Sequence, residues 1–305
     1  MAESLGDLKV EYGAGNYLEA NGCRFHYARM GEGPPLVFVH GWPEFWLTWR
    51  HNLPELSKKF DVVAPDLRGF GDSRSLDRSP SASLTPQQIS DDLAAFMDAL
   101  SIEQAGFVSH DIGAQGVQAL ARDYPDRVTT MYFFNCPHQE IGRRWADADR
   151  LPETWYQYFN QLPLAVELAG YNRETCQLYI GHILSHWSHD PHAFDADLDY
   201  WVDNFMQPGA LEGGFSWYKG IDSARRDLVR HGPPARLQAL PHRTRVFWGQ
   251  FDPVLPPDWM DTLASLFSNL EAEICPDAGH FVHYEAPEVV NADIIEFFDK
   301  SRSFF

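Results

Sequence analysis

A chain of 305 residues, 44% hydrophobic and 14% aromatic, holds enough apolar side chain for one large packed domain or two modest ones, which excludes a disordered chain. Lys and Arg number 24 against 43 Asp and Glu, a formal net charge of −19, so the surface repels phosphate backbones and anionic lipid; nucleic acid and membrane surfaces are not expected partners. No apolar run reaches the roughly eighteen residues of a membrane span, the segment Met1 to Asp7 lacks the basic start of a secretory signal, and Cys23, Cys136, Cys176 and Cys275 form no C-x-x-C pair, so a cytoplasmic protein with reduced thiols is expected.

In chain order, Asn21-Gly22 between Tyr17–Ala20 and Cys23–Ala28 predicts a tight type I′ hairpin. Leu36–Val39 is a short continuous apolar run of the kind buried on both faces of a parallel sheet, and Phe60–Ala64 and Gly106–Val108 repeat it. Thr85-Pro86-Gln87-Gln88 opens a helix, with Thr85 as cap, Pro86 in the first helical position and Gln88 completing a capping box. Ile89, Leu93, Phe96, Met97 and Leu100 then mark one helical face. A helix follows Asp111, and Met131–Phe134 is the next strand. From Pro137 to His231 the chain is aromatic and helical in pattern with no comparable strand. Beyond it, Val246–Trp248 reads as a strand, Trp259–Phe267 as a helix and Val289–Phe298 as a closing helix. The alternation predicts an α/β fold, a mostly parallel sheet flanked by helices. Its core comprises residues 1–136 and 232–305, with a helical cap, residues 137–231, inserted between two strands.

The segment Gly106-Phe107-Val108-Ser109-His110-Asp111-Ile112-Gly113 carries the chemistry. A strand runs into a tight turn that requires small residues two positions either side of a nucleophile; Ser109 and Gly113 meet that need around Asp111. A carboxylate there can attack carbon and form an ester, and the helix N-terminus behind it helps keep Asp111 ionised. Downstream, Trp248-Gly249-Gln250-Phe251-Asp252-Pro253 and Gly279-His280-Phe281 each follow a strand. The order Asp111, Asp252, His280 is nucleophile, acid, base. Asp258 and Asp277 are weaker candidates for the acid, and His283 is the competing base. Asn135, after Phe133-Phe134, stands where an acid can also be placed, which favours Asp252.

With His40-Gly41-Trp42-Pro43 after the first apolar strand and the turn Gly69-Phe70-Gly71-Asp72-Ser73, these residues make nearly the whole chain resemble the α/β-hydrolase superfamily, in its epoxide hydrolase branch. The resemblance implies a cis peptide before Pro43 and an oxyanion hole made by the backbone N–H groups of Trp42 and Ile112. It also implies two cap tyrosines that donate to the epoxide oxygen. Trp155-Tyr156-Gln157-Tyr158-Phe159 matches the first site, with Tyr156 preferred over Tyr158, and Phe215-Ser216-Trp217-Tyr218-Lys219 matches the second with Tyr218. Trp42, Phe45, Trp155 and Trp217 are candidate substrate-binding walls.

The activity so implied is hydrolysis of a small neutral epoxide to a vicinal diol by an aspartyl ester and a His-activated water, with no cofactor. A haloacid or haloalkane dehalogenase could use the same triad. Haloalkane dehalogenases, however, place Trp after the nucleophile, and fluoroacetate dehalogenases place arginines there; this chain has Ile112 and Gln115. A non-catalytic ligand-binding α/β-hydrolase is a third reading, disfavoured by the presence of Asp111, Asp252 and His280. His182, His186 and His189 fall on one helical face, but with no H-E-x-x-H pattern a partly exposed cap face is expected rather than a metal site.

Overall fold

The computed structural model describes residues 4–77, 83–234 and 238–301. A short helix α1 (Leu5–Glu11), capped by Ser4, precedes the hairpin of β1 (Asn16–Ala20) and β2 (Cys23–Met30). Asn21 and Gly22 take φ of 45° and 68°, and Ala20 pairs with Cys23, the two-residue turn the Asn-Gly pair predicts.

The rest of the sheet follows with β3 (Pro35–Val39), β4 (Asp61–Pro65), the short β5 (Arg74–Ser75), β6 (Ala105–His110), β7 (Val128–Phe134), β8 (Leu240–Gly249) and β9 (Phe267–Cys275). The nine strands order as β1-β2-β4-β3-β6-β7-β8-β9, with β5 beside β2. Strands from β4 to β9 run parallel, and the hairpin is joined antiparallel at one edge. Every residue of β6 is buried, as a central strand covered on both faces must be.

Helix α2 (Leu53–Leu56), helix α3 (Pro86–Ala99), helix α4 (Asp111–Asp123), the short α10 (Leu263–Leu266), α11 (Val282–Glu285) and the closing α12 (Pro287–Ser301) belong to this core. Thr85 caps α3 by accepting from the Gln88 N–H at 3.1 Å, but the capping box is only half formed. The Gln88 amide donates forward to the buried, charged Asp92 at 3.0 Å instead of back to the cap. The expected helix over Trp259–Phe267 is also corrected. A 3₁₀ turn (Pro257–Thr262) leads into the single turn of α10, and Phe267 opens β9. β9 is an edge strand with mostly exposed side chains, so it lacks the apolar run of its neighbours, and Glu271 and Glu273 pair with Arg243 and Arg245 of β8 at 2.7 and 2.6 Å.

Between β7 and β8 every described element is helical: 3₁₀ turns at Gln139–Ala146 and Ala148–Arg150, then α5 (Leu151–Phe159), α6 (Pro163–Ala169), α7 (Arg173–Trp187), α8 (Leu198–Phe205) and α9 (Ala210–His231). This insertion rests directly on the core. Gly213 of α9 lies so close to the Gly69 turn that a Cβ there would sit 1.9 Å from the Gly69 carbonyl oxygen, so helix and turn meet backbone to backbone. Asp197 pairs with Arg50 and accepts from the Tyr284 hydroxyl, a second tie between insertion and core. Among the described residues no helix is long and apolar enough to cross a membrane.

Candidate active site

The strand β6 ends at His110 and α4 begins at Asp111, whose φ is 45°. A non-glycine residue in the left-handed region is strained, and here the turn is held by close packing. A Cβ on Gly113 would meet the Val39 carbonyl oxygen at 2.4 Å, so only glycine lets α4 leave so close to β3. The result lifts the Asp111 carboxyl to the C-terminal end of the parallel strands. The Trp42 N–H donates to its Oδ2 at 3.3 Å, and the Trp42–Pro43 peptide is cis. Ile112 is the second residue of α4, where backbone N–H groups have no intrahelical acceptor.

Asp252 follows β8, and His280 follows β9 on the loop before α11. His280 Nδ1 lies 2.8 Å from Asp252 Oδ2. Asp252 Oδ1 accepts from the Val254 and Leu255 N–H groups at 2.8 and 2.9 Å. Asn135 donates to Oδ2 at 2.5 Å, so the residue at the alternative acid position orients the carboxylate. Neither Asp258 nor Asp277 takes His280 Nδ1. The His280 N–H also donates to the carbonyl of Trp187, at the end of α7, so the insertion helps fix the imidazole. Nε2 remains without a protein partner among the described residues.

Electrostatics couples these groups. Burial alone would lower the His280 pKa, but the carboxylates of Asp252 and Asp111 outweigh it and raise it to about 9. Burial raises that of Asp111, opposed by His280, His110 and the Trp42 N–H.

Two tyrosines of the insertion face this end of the sheet. Tyr156 of α5 stacks on the Trp42 indole at 5.4 Å, and Tyr218 of α9 meets the same indole edge-on at 5.3 Å. The two phenol rings lie 5.5 Å apart at 89°. Burial raises both phenol pKa values, which keeps both O–H groups protonated. The Tyr156 oxygen accepts from Gln157 Nε2 at 3.2 Å, leaving its own proton to donate elsewhere. Tyr158 is 57% exposed.

Of the four wall candidates, Trp42 meets the tyrosine pair. Phe45 packs on Trp46 and Trp201, Trp217 is buried within α9, and Trp155 is 42% exposed against Phe159, Tyr179 and His182. Trp187 was not anticipated, yet its ring contacts Trp42, Tyr156 and His280 at 5.5, 4.8 and 5.1 Å. Its sequence carries no signal beyond one aromatic among many.

A buried network beneath the site also escapes the sequence. Glu44 Oε2 accepts from the Gly41 N–H at 2.6 Å and lies 2.7 Å from His110 Nδ1, while Oε1 lies 3.0 Å from His283 Nε2 and accepts from the Thr48 hydroxyl at 2.7 Å. His110 Nε2 reaches the His280 carbonyl at 2.9 Å. One carboxylate thus ties together the Trp42 loop, the Asp111 elbow and the His280 loop. Burial would raise its pKa, but His110 and His283 hold it well below the usual carboxylate range. His283 is consumed by this network, and burial lowers its pKa to about 4. The trio is the described cluster whose ligand atoms come within reach of one ion, but both carboxylate oxygens are already hydrogen-bonded. The only sequence hint is a charge, Glu44, set in an aromatic stretch. The His182 and His186 rings stack at 5.4 Å, but His186 bonds Glu153 at 2.7 Å and His189 turns away to stack on Phe251 at 4.0 Å, so the three do not form one ligand set.

The α/β-hydrolase fold family matches residues 34–287. The chain belongs to that family. Epoxide hydrolase 4 of Homo sapiens is 27% identical over 297 residues, covering 90% of this chain and 75% of the human protein. A soluble epoxide hydrolase of Corynebacterium sp. (strain C12) is 26% identical, covering 92% and 96%. The solved structure of the epoxide hydrolase CorEH without ligand superposes with a TM-score of 0.80 at 26% identity, covering 93% of this chain and 98% of CorEH. Within the α/β-hydrolases the chain therefore stands on the epoxide hydrolase branch.

Proposed function

We propose that this α/β-hydrolase converts an epoxide to a vicinal diol through an ester on Asp111. The observation that carries the reading is the convergence on Trp42 of a carboxylate from the core and two phenols from the insertion. The carboxylate attacks the less hindered oxirane carbon, the carbon–oxygen bond breaks, and Tyr156 and Tyr218 stabilise and protonate the departing oxygen. Ile112 and Gln115, not arginines, stand just after Asp111, which suits an uncharged oxirane at the reacting end.

His280 begins as an imidazolium beside two carboxylates, its pKa raised to about 9. Ester formation removes the Asp111 charge, which lowers the His280 pKa, so the imidazolium passes its proton to the phenolate left by ring opening and the neutral imidazole then takes a proton from water. The hydroxide adds to the Asp111 carboxyl carbon, the Trp42 and Ile112 N–H groups hold the oxyanion, and collapse releases the diol. The leaving alkoxide takes the proton of the Asp111 carboxyl group, so Asp111 returns as a carboxylate and His280 as the imidazolium it was at the start. No step calls for a metal or cofactor.

Single turnover in ¹⁸O-water tests the ester. The first diol carries no label and the label enters Asp111, whereas label in the first diol refutes the ester route. In His280→Gln the ester accumulates as an added substrate mass on the peptide containing Asp111.

A further inference from the structure

The cleft between α5 and α9 holds a cation that the site itself does not use. It is a cavity of about 110 Å³ whose walls include Trp145, Gln157, Tyr218, Ile221 and Arg225. Arg226 and Asp222, also on its wall, pair with each other. Arg225 has no such partner. Its guanidinium lies 4.1 Å from the centre of the Trp145 ring, and among the described residues no carboxylate or carbonyl takes a hydrogen bond from it. In a chain of net charge −19 an arginine left without a carboxylate is out of keeping with its surroundings.

Its position relates it to the reaction. Arg225 follows Tyr218 by seven positions on α9, two turns along the same face and about 10 Å of rise. Gln157 lines the cavity while donating to Tyr156, so both proposed proton donors adjoin the cleft. Burial lowers the Arg225 pKa, while Tyr156, Tyr218 and Asp111 favour its charge, placing it in the electrostatic field of the site. A planar guanidinium braced on an indole presents its fork of N–H groups in a fixed direction and matches a carboxylate two bonds at a time.

We propose that the substrate is an epoxide carrying a carboxylate, which Arg225 binds in this cleft while the oxirane lies between Asp111 and the two tyrosines. The proposal rests on the epoxide hydrolase reading. It also revises the expectation of a wholly neutral substrate, which rests on the net charge of −19 and on the lack of an arginine beside Asp111.

The test compares terminal epoxy carboxylates of increasing chain length with their primary amides, in the full chain and in Arg225→Met and Arg225→Lys. The intact protein favours the acid in kcat/KM by roughly tenfold to a hundredfold, the worth of a charge-assisted hydrogen bond, chiefly through KM. Arg225→Met loses the preference and Arg225→Lys keeps part of it. Because each acid-to-amide ratio is taken within one protein, a loss of folded fraction does not alter it. Equal ratios in all three proteins overturn the proposal. Calorimetry with a medium-chain alkanoate, which has no oxirane, reads the cleft separately. Alkanoate binding that depends on Arg225, without diol from any epoxide, would refute the epoxide reading and leave the carboxylate subsite standing. No alkanoate binding together with diol from both the acid and the amide would do the reverse.

Discussion

The Trp42 indole lies flat on the Tyr156 ring, planes 5° apart, so a loop of the core and a helix of the insertion share one aromatic contact. The same Trp42 gives its backbone N–H to Asp111. Proposed nucleophile and proposed proton donor are therefore referenced to one residue, and a shift of α5 against the core would be felt at both.

Removing only the phenol oxygens leaves this packing intact. Tyr156→Phe and Tyr218→Phe should each lower kcat/KM for an epoxide by about 10- to 100-fold, and the double variant more than either. Melting temperatures should stay close to the parent, because both rings still stack on Trp42. Steady-state kinetics with a thermal scan checks both parts, and full activity in the double variant would remove the tyrosines from the mechanism.

The elevated His280 pKa has a consequence for stability. The group titrates near 6.5 when unfolded and at about 9 when folded, so its ion pairs contribute fully below about pH 6.5. Their contribution is lost as pH rises through about 9. Thermal midpoints should fall across that interval in the parent and run flatter in His280→Gln. In Asp111→Asn, NMR titration should find the His280 pKa lower than in the parent, since one of its two carboxylate neighbours is neutral.

Glu44 makes no contact with a reacting atom, yet it ties together the three loops that supply them. Glu44→Gln removes the charge facing His110 and His283 and leaves ring nitrogens short of acceptors. It should destabilise the fold by about 3 kcal/mol, read from the denaturant midpoint. Loss of order in the Trp42 loop should lower kcat as well, and neither effect is expected for Glu55→Gln on the surface.

What the sequence could carry was local or ordered along the chain. The hairpin followed from Asn21-Gly22, the elbow from small residues flanking Asp111, and the candidate triad from residues that each end a strand of a parallel sheet. These rest on backbone sterics within a few residues, which neighbouring side chains alone dictate. Strand β9 was blurred because an edge strand is stabilised by Arg–Glu pairs and not by an apolar run. The linkage of Glu44, His110 and His283, the place of Trp187 against His280, and the cleft that holds Arg225 each join segments far apart in the chain. Such contacts exist only once the sheet and the insertion have packed, because burial and distance, not residue type, decide which of thirteen histidines or which arginine faces the site. The net charge of −19 is the clearest case: it describes the surface, whereas the fold decides that the Arg225 guanidinium stands against Trp145 in the cleft.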